Sequence, residues 1–314
     1  MHDVIVVGAG LAGLSAVAEL DKAGVDYVCF EKQKEYSINC GEGISLESLA
    51  KVKLGIKPLA VSDKIIIRLD KDHIIDKKIA HIDRLGLQKG MAKGKNIKYG
   101  CSVKIRNGYV EDSTGKVSGK VIIDASGVSK GKCYTSYGYE VAAKSSDDVL
   151  FEPLQDNFGL FWAFPKLSST IIGVSYIGKG LNVKKELAKY YEKYYSGAKL
   201  LRQIAGRTPV TGPMNTVTDN MIYCGDAGGF VGAALGDGIY YALMSGRMAG
   251  KAAVSHVVDG KSLHKYDRMW KSELGWKLKK SLWVKRTAYF LYKARLIDLF
   301  EGRLLNYYKK KVFK

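Results

Sequence analysis

The sequence predicts an α/β protein in which a discontinuous, Rossmann-like dinucleotide-binding domain is joined to a mostly antiparallel β-sheet domain and a C-terminal helical segment. Three observations carry this expectation. An apolar strand ending at Val7 runs into Gly8-Ala9-Gly10-Leu11-Ala12-Gly13 and then into a helix-forming stretch, Leu14 to Leu20. Two later apolar runs, Val121 to Ile123 and Met221 to Cys224, each enter a turn that carries an aspartate and glycines. Between these pieces lie segments of period-two alternation that read as a second sheet.

With 314 residues and 46% hydrophobic content, the chain has room for one large domain or two intimate ones. No apolar run reaches the length of a bilayer span without glycine or charge, and the N-terminus lacks a basic leader, so a cytoplasmic location is expected. The five cysteines form no C-x-x-C pair, so their spacing argues for neither a zinc site nor a redox dithiol, and no metal is expected. The formal net charge is +19. Residues 256 to 314 hold 16 Lys/Arg against 5 Asp/Glu, an excess of 11 in the last fifth of the chain.

In the first motif each glycine has a separate task. Gly8 permits the tight turn, Gly10 lets the backbone approach a pyrophosphate, and Gly13 allows close helix packing. The helix N-terminus then offers free N–H groups to the anion. A second strand, Tyr27 to Phe30, ends at Glu31, which lies 23 residues after Gly8 (31 − 8). A carboxylate there accepts hydrogen bonds from ribose hydroxyls and repels a 2′-phosphate. The motif alone leaves FAD and NAD both open.

Val121-Ile122-Ile123-Asp124-Ala125-Ser126-Gly127 and Met221-Ile222-Tyr223-Cys224-Gly225-Asp226-Ala227-Gly228-Gly229 resemble the second and third FAD signatures of the glutathione-reductase-like flavoproteins, a group that includes aromatic hydroxylases and geranylgeranyl reductases. This resemblance implies FAD as cofactor, with Asp226 at the ribityl and pyrophosphate region. It also implies cofactor contacts at Leu11, Ala12, Lys32, Gly43, Val103, Ala125, Gly127 and Gly225. The turn Gly236-Asp237-Gly238 opens a helix at Ile239, whose N-terminus would face the flavin pyrimidine and stabilise its anionic reduced form. His81-Ile82-Asp83-Arg84 resembles the family's arginine at a helix start near the pyrophosphate. No second GxGxxG occurs, so no separate nicotinamide-binding domain is evident.

Two short segments narrow the resemblance. Asn39-Cys40-Gly41-Glu42-Gly43-Ile44 resembles the cysteine motif of archaeal and plant-type geranylgeranyl reductases, and Leu160-Phe161-Trp162-Ala163-Phe164-Pro165 resembles their Y-x-W-x-F-P motif, with Leu160 in place of tyrosine. The implied reaction is hydride transfer from reduced flavin to a double bond of a prenyl lipid. Cys40 is then the candidate catalytic residue, either as proton donor or by position. Leu160, Trp162, Phe164 and Pro165 are the candidate substrate contacts. An unactivated alkene offers no polar handle, so its binding rests on burial, at roughly 25 cal/mol per Å² of apolar area. Alternative readings are a flavin-dependent monooxygenase or halogenase, and an electron-transfer flavoprotein without lipid chemistry of its own.

These motifs place the FAD-binding domain at 1–50, 80–130 and 206–255, the substrate domain at 51–79 and 131–205, and a basic helical region at 256–314. Lys64 to Leu69 reads as a strand, Asn157 to Tyr176 as a hairpin with Phe158, Leu160, Trp162 and Phe164 on one face, and Leu181 to Ile204 as a helix whose tyrosines favour a core role. The tail interleaves Trp270, Trp276, Trp283, Phe290 and Tyr292 with Lys277, Lys279, Lys280, Lys285 and Arg286. This composition suits peripheral contact with an anionic membrane, and an acidic ferredoxin could use the same patch. Ferredoxin and NAD(P)H are the candidate electron donors. Nucleic acid is not expected, since no recognition motif accompanies the charge.

Overall fold

The computed structural model describes residues 1–128 and 131–293. They form two compact units, each built on its own sheet. The first comprises Met1–Ser37, Leu85–Gly131 and Pro209–Lys279, and the second comprises Ile38–Arg84, Lys132–Thr208 and the chain from Lys280 on.

The sheet of the first unit has the strand order Val217–Thr218, Met221–Tyr223, Gly115–Asp124, His2–Val7, Tyr27–Glu31, Ile97–Tyr99. From Met221–Tyr223 to Ile97–Tyr99 all neighbours are parallel. Buried parallel strands read as continuous apolar runs, and Val4, Ile5 and Val6 are wholly excluded from solvent. Two helices, Leu11–Lys22 and Ile239–Asp259, cross through small residues: a Cβ on Gly246 would lie 2.0 Å from Ala12 O, and one on Gly250 would lie 2.6 Å from Ala16 O.

The second unit is an eight-stranded sheet ordered Leu200–Pro209, Cys133–Val141, Thr170–Tyr176, Gly159–Pro165, Val149–Pro153, Ala60–Arg68, Asp72–His81, Gly43–Ser45. Among the registered pairs only Val149–Pro153 with Ala60–Arg68 is parallel. The helix Val183–Tyr195 packs on this sheet, with Tyr190 stacked on buried Phe161 at 4.4 Å between ring centroids. The expected helix to Ile204 ends early: Ser196 is extended, Gly197 takes φ +75°, and the chain continues as the strand Leu200–Pro209. The stretch Leu200-Leu201-Arg202-Gln203-Ile204 carries no period-two alternation that would mark the strand, so the tyrosine stripe before it dominates the reading.

The basic tail is helical as far as it is described, through Lys265–Glu273 and Gly275–Lys293. Expectations for residues 294–314 lie outside the described residues. Two of the aromatic side chains assigned to its surface are engaged elsewhere. Trp270 is buried and donates through Nε1 to Thr216 Oγ1 at 2.9 Å, and Tyr292 donates through its hydroxyl to Asp156 O at 2.9 Å. Among the described residues no helix is long and apolar enough to cross a membrane.

His81, fully buried at the end of its strand, hydrogen-bonds through Nε2 to Ser62 Oγ at 2.8 Å, while its Nδ1 has no partner among the described residues. Burial, with Lys166 and Lys144 nearby, lowers its pKa from 6.5 to about 4. The unfolded chain therefore takes up a proton as pH falls below 6.5, whereas the folded chain does so only near 4. Stability from this residue is complete above pH 6.5 and is lost between 6.5 and 4, by roughly 3 kcal/mol. Urea titrations across that window should show this slope in the wild type and a flatter one in His81→Gln; equal slopes would exclude His81 as its source.

Candidate functional site

In the first unit, four neighbouring parallel strands end at one edge of the sheet. Val7 stands in register with both Phe30 and Asp124, and Asp124 with Tyr223. The segments that follow these ends are the ones the sequence singled out: the Gly8 to Gly13 turn, Glu31 and Lys32, Ala125 to Gly127, and Gly225-Asp226. His2–Val7 is the switch strand, with Tyr27–Glu31 on one side and Gly115–Asp124 on the other. In an open parallel sheet a ligand binds outside the carboxyl ends at such a point.

Backbone pairing fixes these ends. Gly8 N–H donates to Phe30 O at 2.7 Å, Ala125 N–H to Val7 O at 2.9 Å, and Cys224 N–H to Asp124 O at 3.0 Å. Glu31 is buried, accepting from Ala9 N–H through Oε2 at 2.7 Å and from Gln33 N–H through Oε1 at 2.9 Å. Each carboxylate oxygen can accept a further bond. Asp124 instead turns back on its own loop, accepting from Ser126 N–H and Oγ–H.

The residues present fit the phosphate and ribose groups of a dinucleotide. Gly8 has φ +98°, and a Cβ there would lie 2.5 Å from Ala125 O; one on Gly13 would lie 1.8 Å from Gly8 O. By contrast, a Cβ on Gly10 or Gly127 would meet nothing within 4 Å, so both backbones face open space. No side chain caps the helix that starts at Leu11, and its first turn carries no acid. The same holds for the helix starting at Ile239 behind Gly238, while Gly236 supplies the left-handed turn before it. Asp226 sits in the short helical turn Gly225–Gly228, and Gly225 N–H donates to Ser245 Oγ at 3.0 Å. Val103 packs half-buried against the sheet core, and Lys32 is exposed.

In the second unit, Trp162 and Phe164 share a face, 5.8 Å apart between centroids. Glycines make room for both rings. A Cβ on Gly173 would lie 2.2 Å from the Trp162 indole, and Cβ atoms on Gly41 and Gly43 would lie 2.8 and 2.5 Å from the Phe164 ring. Trp162 Nε1 donates to Ser175 Oγ at 2.9 Å, which fixes the indole plane. Leu160 is half-buried beside them in sequence, and Pro165 is buried at the strand end. Arg84 begins the helix Arg84–Ala92, and its buried Nε has no hydrogen-bond partner among the described residues.

Cys40 also belongs to this unit. It is half-buried, and its Sγ accepts from Glu42 N–H at 3.3 Å. Sequence reasoning missed what surrounds it. Glu42, at φ +61°, is buried between two cations: Arg202 Nη2 at 2.5 Å from Oε1 and Lys166 Nζ at 2.9 Å from Oε2. Glu140 bridges the same pair, with Arg202 Nε at 2.6 Å and Lys166 Nζ at 3.2 Å. Burial opposes its ionisation, but Arg202, Ser169 and Lys166 together hold the Glu140 carboxyl below the usual range. The only sequence hint was an acid between two glycines in the Cys40 motif.

Comparison with known proteins follows this geometry. Residues 6–54 match the model of an NAD(P)-binding Rossmann-like domain. Digeranylgeranylglycerophospholipid reductase 1 of Methanococcoides burtonii is 25% identical, over 92% of this chain and 84% of that protein. Among solved structures, a geranylgeranyl bacteriochlorophyll reductase-like protein of Thermoplasma acidophilum superposes with a TM-score of 0.81 at 18% identity, covering 91% of this chain and 87% of the other. A flavin-dependent brominase superposes at 0.70 with 18% identity, covering 100% and 94%. The chain thus shares its fold with a geranylgeranyl bacteriochlorophyll reductase-like protein and with a flavin-dependent brominase, and over nine-tenths of its length its sequence resembles a digeranylgeranylglycerophospholipid reductase.

Proposed function

We propose that the protein is an FAD-dependent oxidoreductase that reduces carbon-carbon double bonds of a prenyl, geranylgeranyl-type lipid. The observation that carries this reading is the likeness to digeranylgeranylglycerophospholipid reductases over nearly the full length of both chains. The converging strand ends and open glycine backbones of the first unit support FAD. Gly10 and the uncapped helix start hold the pyrophosphate, Glu31 the adenosine ribose, and Asp226 the ribityl region. When bound and reduced, FAD supplies a hydride, and a proton completes the addition to the alkene. Trp162, Phe164, Leu160 and Pro165 offer apolar area to the prenyl chain, and Cys40 acts on the reacting carbon as proton donor or by position. A ferredoxin or NAD(P)H supplies the electrons.

Denaturation should release FAD rather than FMN or NAD. Glu31→Ala strands the Ala9 N–H and removes the ribose acceptor, and Asp226→Ala removes the ribityl contact; each should weaken FAD by roughly 10- to 100-fold in flavin titrations. Wild-type affinity in both variants would refute the assignment of these residues.

Under anaerobic conditions with a chemical reductant, mass spectrometry should find two hydrogens added per reduced double bond. Gly173→Ala, which pushes on the Trp162 indole, should raise KM for the lipid severalfold while FAD stays bound. The brominase likeness makes oxygen the decisive control. A brominated or hydroxylated product that requires oxygen would replace the reductase reading.

The helix Gly275–Lys293 supports contact with an anionic membrane. Trp276, Lys279, Trp283, Arg286, Phe290 and Lys293 are all exposed and recur at intervals of three and four residues, so aromatic and basic side chains alternate along one stripe. Val284, Leu278 and Leu291 are buried on the other side. Sedimentation should show binding to anionic vesicles that salt weakens, and Trp276→Ala/Trp283→Ala should reduce it by about tenfold. Equal partition to neutral vesicles would refute the electrostatic half of this reading.

A further inference from the structure

We infer that Arg202 is a positioning residue for Cys40, acting through a partly buried four-charge clamp, with Glu42 at its buried centre, that holds the Ile38 to Gly43 loop in one conformation. The inference rests on the reading of Cys40 given above and assigns the clamp a part in it.

One guanidinium grips the loop on both sides of the cysteine. Arg202 Nη1 donates to Ile38 O at 2.7 Å, two residues before Cys40, and Nη2 donates to Glu42 Oε1 at 2.5 Å, two residues after it. Its third donor, Nε, is turned toward Glu140 at 2.6 Å, so the planar fork has little freedom to rotate. Lys166 closes the ring by touching the second oxygen of Glu42 and the far oxygen of Glu140. Two carboxylates and two cations alternate, each acid paired with both bases. No member is left as an unpaired buried charge.

The loop is stitched at further points. Ala205 N–H donates to Asn39 Oδ1 at 3.4 Å, and Ile82 N–H donates to Glu42 O at 3.1 Å. Gly41 and Gly43 lie against the Phe164 ring with no room for a Cβ. Glu42 takes a left-handed conformation that costs a non-glycine residue energy and persists where the surroundings impose it. That conformation presents the Glu42 N–H to Cys40 Sγ. The carboxylate anchors the residue, the strained backbone turns it, and the amide fixes the sulfur.

The test uses the FAD-loaded protein. Cys40 and Cys101 are both half-buried, and Cys101 belongs to the first unit, so its alkylation serves as an internal reference. Iodoacetamide labelling, read peptide by peptide, should be about tenfold faster at Cys40 in Arg202→Met than in the wild type, with Cys101 unchanged and FAD retained, because the loop then opens locally. Arg202→Lys keeps the charge but not the fork and should fall between the two. Glu140→Gln loosens the ring while leaving Arg202 on the loop, and should raise Cys40 labelling about threefold if Arg202→Met does not fold. With the prenyl lipid, Arg202→Met should lower kcat about tenfold with KM within about twofold, as expected when a reacting group rather than lipid binding is disturbed. Cys40 labelling at the wild-type rate in the folded variants, or a rise matched by Cys101, overturns the clamp. A wild type that never reduces the lipid overturns the proposed reaction instead, while the labelling result still decides the clamp.

Discussion

The strand His2–Val7 is the constraint on which the first unit depends. Its middle residues have no surface left for solvent: parallel neighbours flank it on both sides, and Ile5 and Val7 share an apolar cluster with Val110 and half-buried Val103, Ile105 and Val117. With Val4 to Val7 paired to a strand on each side, its register fixes where Phe30 and Asp124 stop, and Asp124 in turn fixes Tyr223. Four chain segments distant in sequence are thereby brought to one edge. Gly8 and Gly13 follow from the same crowding: where strand ends, turns and helices approach this closely, a side chain would strike a carbonyl.

The second unit solves a different problem. Its large rings, Trp162 and Phe164, lie against backbone from which side chains have been removed, and a hydrogen bond sets the indole plane. The buried indole and the half-buried Phe164 ring are thus held in fixed orientation at little cost in side-chain entropy. Beside it the protein accepts two expensive features, the neutral His81 and the charged ring around Glu42. The two lie beside the same short strand, since Glu42 directly precedes Gly43–Ser45 and Gly43 stands opposite His81 in the sheet. Buried charges contribute little net stability, and a closed ring of them contributes chiefly by admitting one geometry.

Exposure of the stripe on Gly275–Lys293 shows why charge and aromatic content alone do not define a surface. Trp270 and Trp276 are six residues apart in the same basic run, yet one fills the core and the other faces solvent. They lie on successive helices, Lys265–Glu273 and Gly275–Lys293, and what each helix packs against separates them, which composition cannot. The same lesson applies to the tyrosines of Val183–Tyr195, where Tyr190 and Tyr195 are buried while residues between them are less so.

Local signals in the sequence by themselves determined the strand ends and glycine turns that meet at one edge of the first unit's sheet. A glycine turn between strand and helix, and the acids Glu31 and Asp124 at two strand ends with Asp226 shortly after a third, are written in short local segments, and the strand–turn–helix context can be read from periodicity. The hairpin Gly159–Pro165 to Thr170–Tyr176 was legible for the same reason, whereas Leu200–Pro209 was hidden because a tyrosine stripe at helical spacing ran into it. Only the tertiary structure decided that Glu42 and Arg202 meet. They are 160 residues apart, each is ordinary in its own neighbourhood, and no spacing rule connects them. Strand pairing puts Leu200–Pro209 and Gly43–Ser45 at opposite ends of the sheet order, and the meeting exists because the Ile38 to Glu42 loop packs on the Leu200–Pro209 strand, where a buried carboxylate must find a cation.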